Sequence, residues 1–223
     1  MCGRYTLAQT AERIAAAFDV ADVPSMPPRY NIAPTQPIPV VRSHPQTHDR
    51  QCTLLYWGLI PSWSQDPAIG AKMINARAET VPEKPSFRTA FRKRRCLVIA
   101  DGFYEWHQVD RKKQPYYFCT EDHQPFGFAG LWEHWESAEG DTIESCTIIT
   151  TTANDVLQPI HDRMPVILQP TDYDFWLDPT VQDSDRLQSL LQPIDQLPLI
   201  RYPVSSVVNS PKNDSPDCIE AIE

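Results

Sequence analysis

The sequence predicts an α+β fold: a single domain over residues 1–223, with a mainly antiparallel β core flanked by short helices. Three observations carry that expectation. Short apolar runs of strand length recur at 38–42, 52–57, 96–100, 116–119, 126–132 and 146–152, separated by polar turns. Helical spacing is confined to brief stretches, the clearest being Leu7, Ala11, Ile14, Ala15 and Phe18. The chain has 22 prolines against 7 glycines, which favours rigid turns over a long flexible linker, and its 223 residues at 41% hydrophobic content suit one sizeable core.

In chain order, the helix-spaced residues predict a short amphipathic helix, followed by a proline-containing connection at 22–28. Residues 38–42 and 52–57 predict two strands joined by a polar turn in which His44 and His48 are solvated. Trp57-Gly58-Leu59-Ile60-Pro61-Ser62-Trp63 is an aromatic-rich loop. An exposed tryptophan beside a groove can stack on an unpaired base, at about 1–3 kcal/mol per base, or it can serve as a core or lid residue. In Met73-Ile74-Asn75-Ala76-Arg77-Ala78-Glu79, an extended backbone puts Asn75, Arg77 and Glu79 on one face, as a site or as a plain surface strand.

Arg88 with Arg92-Lys93-Arg94-Arg95 holds five of the 20 basic residues. Such a run is either a solvated helix end or a phosphate-facing patch. In Asp101-Gly102-Phe103-Tyr104-Glu105-Trp106 a carboxylate is wedged between aromatics. Desolvation there raises the pKa of Glu105 toward the range a proton shuttle needs, unless its side chain simply points outward. Asn154 predicts the cap of a short helix through Leu157, ending at Ile160-His161-Asp162-Arg163-Met164-Pro165 before a strand at 166–168. His161 is placed for general acid–base work, or equally for a structural hydrogen bond. From Asp172 onward the chain is acidic and helical in pattern, and 207–214 is a polar loop that can border a groove.

A net charge of -9 argues against an indiscriminate nucleic-acid binder but leaves room for a narrow basic groove. Neither an apolar run of about 18 residues nor a charged-then-apolar leader is present, so no membrane span or secretory signal is expected. Cys2, Cys52, Cys96, Cys119, Cys146 and Cys218 contain no CxxC pair. That pattern predicts no metal or cofactor, and reduced thiols in a reducing cytoplasm.

The terminus Met1-Cys2-Gly3-Arg4 carries the distinctive chemistry. Once Met1 is trimmed, Cys2 holds a free α-amine two carbons from its thiol. The amine condenses with an aldehyde to an imine, and the thiol then closes a five-membered thiazolidine ring. Ordinary pKa values of about 7.7–8.0 for the amine and about 8.5 for the thiol leave both nucleophiles usable near neutral pH. Taken alone, Cys2 is also compatible with a small apolar residue near a frayed end.

In combination these segments resemble the SOS-response-associated peptidase family, the abasic-site processing proteins. The resemblance rests on Met1-Cys2-Gly3-Arg4, Arg29-Tyr30-Asn31-Ile32-Ala33-Pro34, Trp57-Gly58 with Pro61-Ser62-Trp63, and Ile74-Asn75-Ala76-Arg77-Ala78-Glu79. Asp101 to Trp106, His161-Asp162-Arg163-Met164-Pro165 and Val208-Asn209 complete it. It implies a barrel-like core, and a monomeric protein that captures abasic sites in single-stranded DNA through a stable crosslink at Cys2. It further implies that Asn75 holds the opened sugar, that Glu105 and His161 move protons, and that Arg4, Trp63, Arg77, Thr150 and Arg163 contact DNA. Side activities as a lyase or self-processing peptidase, replication-fork partners and a nucleoid location belong to the same expectation. Two other classes stay open: an N-terminal-nucleophile peptidase or amidohydrolase using Cys2, and a non-catalytic single-strand binding module indifferent to Cys2.

Overall fold

A sheet that closes on itself removes the exposed edges that strands otherwise present. The protein builds its core this way. A computed structural model describes residues 2–44, 46–110, 112–194 and 197–222. Its strands are β1 (Tyr5–Leu7), β2 (Arg29–Ile32), β3 (Pro37–Ser43), β4 (Arg50–Trp57), β5 (Asn75–Arg77), β6 (Arg95–Ala100) and β7 (Gly102–Val109). They continue as β8 (Lys112–Thr120), β9 (Phe126–Glu136), β10 (Thr142–Thr152), β11 (Arg163–Pro165), β12 (Ile167–Leu168) and β13 (Leu199–Pro203). The helices are α1 (Ala11–Phe18), α2 (Arg88–Lys93), α3 (Tyr173–Leu177) and α4 (Ser184–Ser189).

Strands β3, β4, β10, β9 and β6 pair in a ring, forming a closed barrel, with β5 and β11 added along β10 and β12 along β9. A second, antiparallel sheet runs β13-β8-β7-β1-β2. Among the described pairs only β4 and β5 lie parallel to β10, so the mainly antiparallel α+β expectation holds.

The two sheets meet through aromatics. Tyr5 of β1 packs edge-on against Trp57 at 5.4 Å and Phe128 at 6.1 Å, and Phe103 of β7 packs on Phe128 at 5.8 Å. Tyr5, Trp57, Phe103 and Phe128 are all fully buried, and removing one such ring costs about 3–5 kcal/mol. Behind Tyr5, Gly102 has no room for a Cβ, which would fall 2.0 Å from the Tyr117 hydroxyl. That hydroxyl lies 2.8 Å from Thr6 Oγ1, so β1 and β8 are tied together across Gly102 of β7.

Several expectations need correction. Helix α1 begins at Ala11, capped by the Thr10 side chain, and Leu7 belongs to β1 instead. No helix follows Asn154; its carbonyl and side chain accept from Leu157 and Gln158 within a run of turns. Pro159 stands where a helix would need its backbone N–H, which explains the interruption. The acidic C-terminal third contains β13, an edge strand on β8, besides α3 and α4. Among the described residues, no helix is long and apolar enough to cross a membrane.

Candidate active site

Because β1 enters the core at Tyr5, the residues just ahead of it are pulled against β5 and β7. Cys2 is 0% exposed, and Asn75 Nδ2 of β5 donates to its carbonyl at 2.8 Å. Burial pushes the Cys2 thiol well above its ordinary range, and the nearby Glu105 carboxylate adds to the shift. The sulfur therefore rests protonated. Asn75 Oδ1 is buried and finds no hydrogen-bond partner among the described residues. It is an unsatisfied acceptor on the residue that holds the Cys2 carbonyl. The expected loss of Met1 concerns a residue outside the described set.

Glu105, on β7, is buried at 3% exposure. Burial raises its pKa, while the neighbouring His161 draws it back down. His161 Nδ1 accepts the Arg163 backbone N–H at 3.0 Å and also lies 3.0 Å from Asp162 Oδ1. These two contacts require opposite proton positions. The amide is fixed, whereas the Asp162 side chain is 88% exposed, so the amide contact is the one that orients the ring.

Arg4, Glu105, Trp106, Lys113, His161 and Asn209 line a cavity of about 490 Å³. Arg4 forms one wall, donating to Asn31 Oδ1 at 2.8 Å, to the Val208 carbonyl at 2.8 Å and to the Asn209 carbonyl at 3.2 Å. Trp106 Nε1 donates to Asn209 Oδ1 at 2.7 Å. Buried Asn31 in turn donates to the carbonyls of Val208, Ser210 and Asn213. Arg4 and Lys113 bring two positive charges to a recess holding one carboxyl, on an acidic protein. Among the described residues, no cluster of three or more His, Cys, Asp or Glu side chains is arranged to hold a metal.

The sequence profile of the SOS response associated peptidase (SRAP) family matches residues 1–211. The chain belongs to that family. It is 47% identical over 227 residues to the abasic site processing protein YoqW of Bacillus subtilis (strain 168), covering 99% of this chain and 100% of that one. It is 36% identical over 225 residues to the abasic site processing protein HMCES of Xenopus tropicalis, covering 87% of this chain and 66% of the relative. A crystal structure of a protein from Bacteroides thetaiotaomicron superposes with a TM-score of 0.88 at 29% identity, covering 100% of both chains.

In this SRAP chain the fold gathers Cys2, Asn75, Glu105 and His161 from four separate segments. Arg77 is exposed on β5. Arg163 is turned inward, pairing with Glu79 and donating to the Thr150 carbonyl. Thr150 itself is fully buried, so its hydroxyl does not face a DNA strand directly; it accepts from Arg163 at 3.3 Å and donates to the Ala76 carbonyl at 3.4 Å. Of the aromatic loop, Trp57 is core and Trp63 is 59% exposed.

The basic run separates in space. Arg95 is buried, donating to the carbonyls of Trp176, Phe91, Arg92 and Val181, and Arg94 pairs with Glu133. Arg88, Arg92 and Lys93 are exposed, but none of the five lines the cavity around Glu105 and His161. Sequence reasoning missed Lys113, an ordinary lysine in a polar stretch. It also missed the bracing role of Asp214, which accepts from the backbone N–H groups of Tyr30 and Asn31 and pairs with Arg29.

Proposed function

We propose that this SRAP-family protein captures abasic sites in single-stranded DNA by forming a thiazolidine crosslink through Cys2 after loss of Met1. The observation that carries this reading is the burial of Cys2 against Asn75, beside a carboxyl and an imidazole that share one cavity. The names of the curated relatives support the same target.

The chemistry follows from the proton states. The ring-opened deoxyribose presents an aldehyde, with Asn75 Oδ1 as an acceptor for one of its hydroxyls. The Cys2 amine adds to the carbonyl carbon, and the resulting carbinolamine loses water to give the imine. Glu105, its pKa raised by burial, gives a proton to the departing hydroxyl. His161 serves ring opening of the closed sugar. The thiol then adds to the imine carbon and its proton passes to the nitrogen, closing the ring. A sulfur that rests protonated suits this last step, because the proton it delivers is the one the nitrogen needs. Arg4, Arg77 and Arg163 grip phosphates, and Trp63 stacks on an unpaired base.

The same imine permits β-elimination, so abasic-site lyase activity is part of the proposal, as is peptidase activity limited to residues ahead of Cys2. The protein acts as a monomer in the cytoplasm, on the nucleoid, near replication-fork proteins. The test is incubation with single-stranded oligonucleotides with and without one abasic site, resolved on a denaturing gel. A shifted band with the abasic strand alone is expected. Equal or absent shifts overturn the crosslink, and cleavage of an amide in trans by Cys2 would favour a peptidase instead.

A further inference from the structure

Arg163 is held from two sides. Its guanidinium meets Glu79 in a two-point pair, Nη1 to Oε1 at 2.5 Å and Nη2 to Oε2 at 3.1 Å. Nη2 also donates to the Thr150 carbonyl at 2.5 Å and to its buried hydroxyl at 3.3 Å. Thr150 pairs with Arg77 of β5 on one side and with Pro165 of β11 on the other, so Arg77 and Arg163 flank the same end of β10. Glu79 sits between them, its carboxyl held below the ordinary range first by Arg163 and further by Arg77. The Arg163 side chain is 12% exposed, whereas that of Glu79 is 48% exposed. The Thr150 contacts are therefore the fixed half of the arrangement and the Glu79 contact the displaceable half.

A carboxylate and a phosphate present the same pair of acceptor oxygens to a guanidinium. We infer that Glu79 is a specificity-determining residue. It occupies Arg163 where a DNA backbone phosphate docks, so a strand must displace it to bind. This rests on the single-strand reading above. The consequence is restrained non-covalent affinity. An undamaged strand, which can form no crosslink, is released readily, and selection for the lesion falls to the covalent step. The opposite role, in which Glu79 orients Arg163 toward phosphate, predicts a change of the other sign.

The test is a double-mutant cycle on binding of an undamaged single-stranded oligonucleotide, read by fluorescence anisotropy at fixed salt. Glu79→Gln keeps the shape and removes the charge. It should tighten binding by about two- to fivefold, the scale of one competing surface ion pair. In an Arg163→Ala background the same substitution should change binding by less than that, because no guanidinium remains to be released. Weaker or unchanged binding by Glu79→Gln overturns the inference, and so does an equal gain in both backgrounds, which marks a loss of general repulsion. If wild type and Glu79→Gln both fail to bind single strands at low salt, the underlying DNA reading falls as well.

Discussion

Two carboxylates lie four residues apart at the β6–β7 corner, and they are used differently. Asp101 is 4% exposed and Glu105 is 3% exposed, and burial raises the pKa of both. Asp101 commits its oxygens to donors: Thr6 Oγ1 at 2.5 Å, the Ala8 backbone N–H at 2.7 Å and Gln9 Nε2 at 3.2 Å. Glu105 interacts electrostatically with ionisable groups, the Cys2 thiol and His161, and with His161 lines a cavity. Burial alone does not identify a catalytic acid. The neighbours decide, since fixed donors make an anchor, whereas titratable partners suit the proton relay proposed for Glu105.

The widest break is made at the group that sets the two carboxylates apart. Cys2→Ala should abolish the heat-stable adduct while leaving an imine that borohydride can trap, as seen on denaturing gels with and without reductant. Next, Glu105→Gln should slow both formation and reversal of the crosslink by about 10²- to 10⁴-fold, followed as single-turnover kinetics. Asp101→Asn should leave the rate per folded molecule near that of wild type. Similar rate losses in the two variants would erase the distinction. In denaturant melts the order should invert. Asp101→Asn should cost about 1.5–3 kcal/mol, because charge-assisted bonds are lost and donors are left facing an amide.

The smallest effect is in pH. The pKa of Glu105 is raised in the fold, so its contribution to stability is fully present below the ordinary carboxylate pKa and is lost as pH rises through the raised value. Glu105→Gln, always neutral, should therefore match wild type in acid and melt at a higher temperature near neutral pH. Melting curves across pH 3 to 8 that stay parallel would show that burial of this carboxylate carries no net penalty.

Much of the β core was legible because its strands are apolar and well bounded. The 38–42 and 52–57 runs fall within β3 and β4, and the 96–100 run falls within β6, whose residues are all buried. What escaped were elements defined by their partners. Strand β13 has Pro198 before it and Pro203 at its end, tolerable on an edge but opaque to pattern. Strand β5 is three residues long; its alternation was legible at 73–79, but its pairing with β10 was not. At the candidate site, Cys2 and Glu105 drew attention by chemistry and by neighbouring aromatics, and the burial expected of Glu105 is present. The fate of the arginines did not. The dense run at 92–95 is divided between Arg95 bracing carbonyls and Arg94 pairing with Glu133, while Arg4, Arg77 and Arg163 are scattered in sequence. Charge density along a chain says little about charge density in space.

The clamp on Arg4 also imposes an order in time. The carbonyls of Val208 and Asn209 that hold it belong to residues made 204 and 205 positions later. At about 5–20 residues per second, that interval is on the order of 10–40 s of synthesis. Throughout it, a nascent chain carries Cys2, and in due course Asn75, Glu105 and His161, without the wall that completes their cavity. A polypeptide released between residues 163 and 208 would hold every group in the proposed chemistry and still lack this wall of the pocket. Competence for the lesion is thus acquired at the last stage of translation, and incomplete products should be poor at trapping damaged strands.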